Sequence, residues 1–355
     1  MIKKQDQVSP FMVFFIVVSA QLGVGVLSFQ SEIAKYAGHD AWMSIILAGI
    51  TMNIVIWMMY QIMNKEKTDL VAINCKVYGK WIGSLLSMVF SLYLIFLAAL
   101  ILRIFIEVIQ VWMFPFVNIW GLLLAILPLV YYIISGGFRT IVGVCFFGVA
   151  IPSFLIFTLF FPLPYSHATK ILPIFDHSLM ELISSAPIAV FNLLGTGVLL
   201  VYYPFISEAR KSQVWAHLGN VFSTAVYTVV SLVTFAYFTH EQLKELIWPT
   251  LMLWKIIELP FMDRFEYIGI ATWFYIILPN ISLYLWGGSR IVKRITTISQ
   301  ERISIFFLLV IFVFCLLLDT WEQIMSFSSG FPMWGSAYYT SMFRFWFCPI
   351  LLWKR

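Results

Sequence analysis

The chain has 355 residues, of which 61% are hydrophobic and only 11% charged, with a mean hydropathy of +0.93. That composition excludes an ordinary soluble domain and points to a polytopic membrane protein. The net charge of +5 is spread over short loops without a dense basic run, so no nucleic-acid partner is implied.

Crossing about 30 Å of hydrocarbon takes roughly 17–25 apolar residues. Stretches of that kind fall at 11–30, 41–63, 82–112, 118–134, 141–161, 185–205, 215–239, 267–289, 303–319 and 335–353. The sequence therefore predicts an all-α membrane protein with ten transmembrane helices, preceded by a short tail over residues 1–10. The first apolar run is span-length and lacks a small-residue cleavage site, so it is expected to remain as a helix. With the N-terminus cytoplasmic, fifteen Lys and Arg residues, among them Lys3, Lys65, Lys76, Arg139, Arg210, Arg290 and Arg302, lie on the inner side. Only Lys35, Lys170, Lys244, Lys255 and Arg264 lie on the outer side. The positive-inside rule then places both termini in the cytoplasm.

Two spans are interrupted in the same way. Gly23-Val24-Gly25 breaks the first and Gly195-Thr196-Gly197 breaks the sixth. Division in the outer loop 162–184, which carries Pro162, Pro164 and Pro173, leaves five spans over 11–161 and five over 185–353. Five being odd, the second set enters from the opposite face, which is inverted-repeat topology. Either glycine pair alone is explained by close helix packing. Their matching positions in the two halves point instead to a shared cavity, since broken backbone is tolerated at membrane depth only where it is buried in protein or lines a cavity. A second long outer segment, 240–266, contains Leu243, Leu246, Ile247, Leu251, Trp254 and Ile257 at helical spacing. Outer loops of this size can act as lids, and the stretch 240–259 reads as a surface helix at the membrane interface, split in two by Pro249.

Further segments carry a family resemblance: Gln7-Val8-Ser9, Gly23-Val24-Gly25-Val26-Leu27, the run from Ile33 to Trp42, Tyr78-Gly79-Lys80-Trp81-Ile82-Gly83, and Lys170-Ile171-Leu172-Pro173. With these the chain resembles the permease-like B subunits of GerA-type nutrient germinant receptors of endospore-forming bacteria. That family is similar to amino-acid permeases of the amino acid-polyamine-organocation superfamily. The resemblance implies a LeuT-like five-plus-five inverted repeat with broken helices one and six. It also implies a sensor of small nutrients, commonly amino acids, in the inner membrane of the dormant spore, working with an A-type membrane subunit and a C-type lipoprotein subunit. Gln30 departs from the pattern, which leads us to expect proline soon after the first break.

An amino-acid zwitterion needs donors for its carboxylate and acceptors for its ammonium. The amides around Gly23, Val24 and Gly25, at the start of the outer half of span one, are placed to receive the carboxylate. Carbonyls around Phe191, Asn192, Gly195, Thr196 and Gly197 are placed to receive the ammonium. In the LeuT-like arrangement spans three and eight complete the wall. There Tyr93 and Leu97, and Asn280 and Tyr284 just beyond Pro279, lie one turn apart on a common face. The two tyrosines fit either a packed or a ligand-contacting role, whereas a buried Asn280 amide requires partners. The ionisable residues deep in spans are Arg103, Glu107 and Arg344, and such residues are candidates for function. Arg103 and Glu107 form either a structural pair or a gating and coupling element.

Span five contains neither lysine nor carboxylate, which weakens a proton-coupled pump. Carbonyls near Gly23 with a hydroxyl such as Ser282 leave sodium coupling open. The five histidines lie in loops or at span ends, and no nucleophile-base set or phosphate loop is present, so no enzyme is expected. Cys145, Cys315 and Cys348 fall in spans and Cys75 in an inner loop; their spacing implies no disulfide framework, metal site or cofactor. The competing readings are an autonomous amino-acid transporter of the same fold, and a channel or scaffold subunit without a nutrient site.

Overall fold

The computed structural model describes residues 3–172, 176–258, 260 and 263–328. The expected tenth span at 335–353, with Arg344 and Cys348, lies outside these residues. Among the described residues the secondary structure is helical apart from one isolated bridge between Val8 and Ile206. Seven helical stretches among the described residues are long and apolar enough to cross a membrane, and Met12–Gln21 and Ile119–Ser135 are shorter apolar helices.

Span one is α1 (Met12–Gln21), a 3-10 turn (Val24–Leu27) and α2 (Phe29–Ala37). It is followed by α3 (Trp42–Glu66) and by α4 (Leu70–Trp112), within which Gly79 at φ 78° separates an inner-loop helix from span three. Next come α5 (Ile119–Ser135) and α6 (Phe138–Ala150), the latter continued as a 3-10 helix over Pro152–Phe160 to complete span five. The second half begins with α7 (Leu179–Leu193), capped by a reciprocal Ser178–Glu181 box. A 3-10 stretch (Leu194–Val198) and α8 (Leu199–Tyr202) finish span six, after which come α9 (Ser212–Tyr237), α10 (His240–Glu245), α11 (Pro249–Lys255), α12 (Phe265–Ile295) and α13 (Gln300–Leu317).

The packing follows the two-fold logic of an inverted repeat. α1 lies against α9 and α7 lies against α3, the two symmetry-equivalent pairings, while α4 and α12 form the long central crossing. α6 bridges the two groups by touching both α1 and α12. At the second of these contacts, a methyl group on Gly148 would collide with the Tyr275 carbonyl. Pro279 removes the amide that would otherwise bond that carbonyl within α12, so the close approach occurs where the helix is loosened.

On the face carrying the N-terminus the bundle is stitched shut. The Val8 amide donates to the Phe205 carbonyl at 2.9 Å and the Ser207 amide to the Val8 carbonyl at 2.9 Å. Tyr60 pairs with Ser212 and Tyr203 with Asn64, each at 2.7 Å. On the opposite face the 240–266 segment forms two short helices divided at Pro249, but not in the manner expected of an interfacial helix. Leu243, Leu251, Leu253 and Trp254 are buried, and α11 packs on α12, α9 and the 3-10 turn of span one. The amphipathic face is turned into the protein, so this segment is a lid.

Candidate functional site

Span one is broken by geometry rather than by bending. Leu22 and Gly23 are extended, at φ/ψ of −83°/102° and −128°/−156°, before the chain tightens into the 3-10 turn. An extended pair frees the last carbonyls of α1, and a side chain donates to each. Tyr284 Oη donates to the Ala20 carbonyl at 2.6 Å, Tyr227 Oη to Gln21 at 3.0 Å, Asn280 Nδ2 to Leu22 at 3.4 Å and Trp273 Nε1 to Gly23 at 3.3 Å. Beyond the turn, Thr250 Oγ1 of the lid donates to the Val26 carbonyl at 2.8 Å, and Gln30 Nε2 donates to Thr250 Oγ1 at 2.6 Å. Gln30, which departs from the expected proline, thus ties span one to the lid.

Span six is interrupted differently. Residues 194–198 stay helical in the tighter 3-10 form with negative φ at their flanks, so the backbone there is overwound, not unwound as the glycine pair leads one to expect. A 3-10 helix keeps its own hydrogen bonds and releases fewer carbonyls. The Leu193 carbonyl accepts from Gln21 Nε2 at 3.0 Å. Gly195 answers to close approach: a methyl group there would overlap the Ala20 carbonyl and Tyr284 Oη.

Between the two breaks lies a cavity of about 420 Å³. Ten of the twelve ligand-site residues nominated from sequence line it: Gly23, Val24, Gly25, Tyr93, Leu97, Phe191, Asn192, Gly195, Asn280 and Tyr284. Thr196 and Gly197 are buried in the 3-10 stretch behind Gly195 and do not line it. Val24 and Gly25 carry the first amides of the second half of span one, which have no intrahelical acceptor. In the same lining, Gln21 Oε1 and Asn280 Oδ1 are buried acceptors with no hydrogen-bond donor among the described residues. The remaining wall is largely apolar, from Leu97, Leu100, Ile101, Ile104 and Ile188. Glu32 is the one charged residue among the described lining residues, and it sits near the outer rim, bonded to Lys35 at 2.7 Å. The cavity reaches the face opposite the N-terminus at Tyr36, which is 49% exposed.

Arg103 and Glu107 do not enter the cavity. Arg103 is 3% exposed; Nη1 donates to Glu107 Oε2 at 2.8 Å, Nε to the Leu318 carbonyl at 2.8 Å and Nη2 to the Asp319 carbonyl at 3.4 Å. This clasp holds the chain just after α13, from which Trp321, Met325 and Ser328 cover one side of the cavity. Trp321 also packs edge-on against Trp248 of the lid, with ring centroids 5.1 Å apart. Ser282 Oγ donates to its own helix at the Leu278 carbonyl, 2.8 Å.

Sequence reasoning missed Gln21, Tyr227 and Trp273. Gln21 was visible as a polar amide inside an apolar span. The other two look like ordinary packing residues in a chain with 18% aromatic content.

The family model described as "Spore germination protein" matches residues 7–324. The chain belongs to this spore germination permease family. Among curated relatives it is 45% identical to spore germination protein GerQB of Bacillus cereus, over 90% of this chain and 88% of that one. It is 25% identical to spore germination protein B2 of Bacillus subtilis, over 76% and 75% of the two chains. Among solved structures, a Na+-coupled sialic acid symporter in a substrate-bound outward-open state superposes with a TM-score of 0.68 at 13% identity, over 94% of this chain and 76% of that one. The germination permease therefore has the LeuT-like transporter fold and is an integral membrane protein.

Proposed function

We propose that this germination permease is the nutrient-sensing subunit of a spore germinant receptor. In this reading it binds a small, net-neutral nutrient of the amino-acid type in the cavity between the two helix breaks. The observation that carries the reading is the polarity of that cavity. Val24 and Gly25, whose helix-start amides have no intrahelical acceptor, line it together with the unbonded acceptors Gln21 Oε1 and Asn280 Oδ1, and Glu32 is the one charged residue among the described lining residues. Donors and acceptors within one lining suit a zwitterion, and the apolar wall suits an uncharged side chain.

Binding would favour one arrangement of the two five-helix repeats, 11–161 and 185–353, over another. An A-type membrane subunit and a C-type lipoprotein subunit in the inner spore membrane, with both termini of this chain cytoplasmic, would read that shift. Sensing is favoured over sodium-driven transport by the freed carbonyls of Ala20, Gln21, Leu22 and Gly23. Each is already engaged by a side-chain donor, whereas a cation would need such oxygens turned towards it. No catalytic role is assigned to any residue.

The test is thermal stabilisation of the purified chain by a panel of amino acids and other small nutrients. A stabilising nutrient whose effect is lost in Asn280→Ala supports the reading. Stabilisation unchanged by that substitution contradicts the site. Ion-driven accumulation of the same compound in proteoliposomes containing this chain alone would make it a transporter instead.

A further inference from the structure

A second cavity, of about 450 Å³, lies on the opposite, N-terminal face, well away from the helix breaks. It is bounded by the tail (Gln5, Asp6), the turn between α5 and α6 (Gly136, Gly137, Arg139), the end of span six (Phe205), the inner end of α12 (Trp286, Arg290) and the start of α13 (Gln300). Three independent features give it positive character. Arg290 is half-buried over the Phe205 ring, 5.1 Å from its centroid, and makes no ion pair among the described residues. Arg139 donates to the Gln5 carbonyl at 2.9 Å and likewise has no carboxylate partner. The thirteen-residue helix α6 begins here behind Gly137, at φ 82°, with no side-chain cap, so its first amides and the positive end of its dipole open on the cleft. Phe138, Phe205 and Trp286 form an aromatic floor, with centroids 4.6 Å apart for the tilted Phe138–Trp286 pair and 5.1 Å for the edge-on Phe205–Trp286 pair. Asp6 is the single carboxylate among the described lining residues, and it is exposed and bonded to neither arginine.

We propose that this cleft binds a phosphate-type oxyanion, held by Arg139, Arg290 and the first amides of α6. Two guanidinium forks and a helix start present donors from several directions, which matches the tetrahedral oxygens of phosphate better than the planar pair of a carboxylate. The volume leaves room for a substituent on the phosphate. Basic pockets between helices on the cytoplasmic side are where anionic lipid headgroups dock, and free phosphate presents the same chemistry. An anion here would bridge the tail, which is stitched to span six through Val8, to α12 and α13. It would thereby hold this face closed.

The experiment uses the full purified chain. In one arm, detergent-solubilised protein is titrated with inorganic phosphate. In the other it is reconstituted in nanodiscs of phosphatidylcholine with or without phosphatidylglycerol. Melting temperature and lipid retention by native mass spectrometry are read in both. The expected result is stabilisation by the anionic probe, with apparent affinity falling about tenfold or more in Arg290→Gln and in Arg139→Gln, the loss of one charge-assisted contact. The exposed control Arg302→Gln should bind as the parent does, and Asp6→Asn should bind more tightly. Phosphatidylglycerol acting where inorganic phosphate does not identifies a lipid headgroup, and the reverse identifies a free anion. Because Arg139 is exposed, its variant keeps the test valid if Arg290→Gln fails to fold. Equal binding by Arg139→Gln and the parent, or an equal loss in Arg302→Gln, overturns the proposal.

Discussion

Gly195 and Gly25 share a motif but respond to different constraints. A methyl group on Gly195 would meet the Ala20 backbone and Tyr284 Oη, neither of which can withdraw cheaply, whereas on Gly25 it would meet the end of the Asn192 side chain. Gly195→Ala is therefore expected to cost about 1–3 kcal/mol of stability, and Gly25→Ala much less, as read by thermal melts of the two variants side by side. Tyr284→Phe keeps the ring and removes the hydroxyl that donates to the Ala20 carbonyl. It should cost about 1–2 kcal/mol, and a melt indistinguishable from the parent would show that this carbonyl finds another partner. The glycines were legible in the sequence because a helix break in lipid has few permitted uses. Their division of labour was not, because Gly-X-Gly reads the same whether glycine makes room for a backbone or for the end of a side chain.

At the level of elements, the chain after α13 lines the cavity through Trp321 and meets the lid at Trp248, and Arg103 anchors this chain. Arg103→Gln should loosen the Leu318–Asp319 turn and expose the cavity. A cysteine placed at Ser328 should then react several-fold faster with a polar thiol reagent than in the parent background. Glu107→Gln leaves both carbonyl bonds of Arg103 in place, so its effect should be smaller; equal effects of the two substitutions would mean the ion pair itself is what matters. On the lid, partial burial, together with Lys244, His39 and His177, holds the His240 imidazole below its ordinary value of 6.5. A group that is harder to protonate when docked favours the undocked lid as pH falls below that ordinary value. Protease cleavage of the 240–266 segment should therefore rise on acidification, and the rise should disappear in His240→Gln. The two short helices and their division at Pro249 could be read from apolar spacing. Their burial could not, since a lid and an interfacial helix carry the same amphipathic pattern and differ only in what they face.

Over the whole molecule, the helical transporter-type fold and the approximate cavity position followed from the scarcity of water in lipid and the pairing of two helix breaks. Asn280 and Tyr284, which satisfy two of the freed carbonyls, stood out on span eight, but the other two donors did not. Tyr227 and Trp273 are brought to the break by packing between distant spans and bear no local mark of that role. The resulting molecule is closed on its N-terminal face and hollow at its centre, with a cavity that reaches the far face and a wall suited to a neutral or zwitterionic guest. Its central claim is that the guest occupies the space between the two breaks. Gly25→Trp tests this most directly, by filling that space with a side chain from the broken backbone itself. We predict that isothermal titration with the nutrient that stabilises the parent gives no measurable binding to this variant, while its melt remains cooperative. Binding by a folded Gly25→Trp protein with parental affinity would contradict the account.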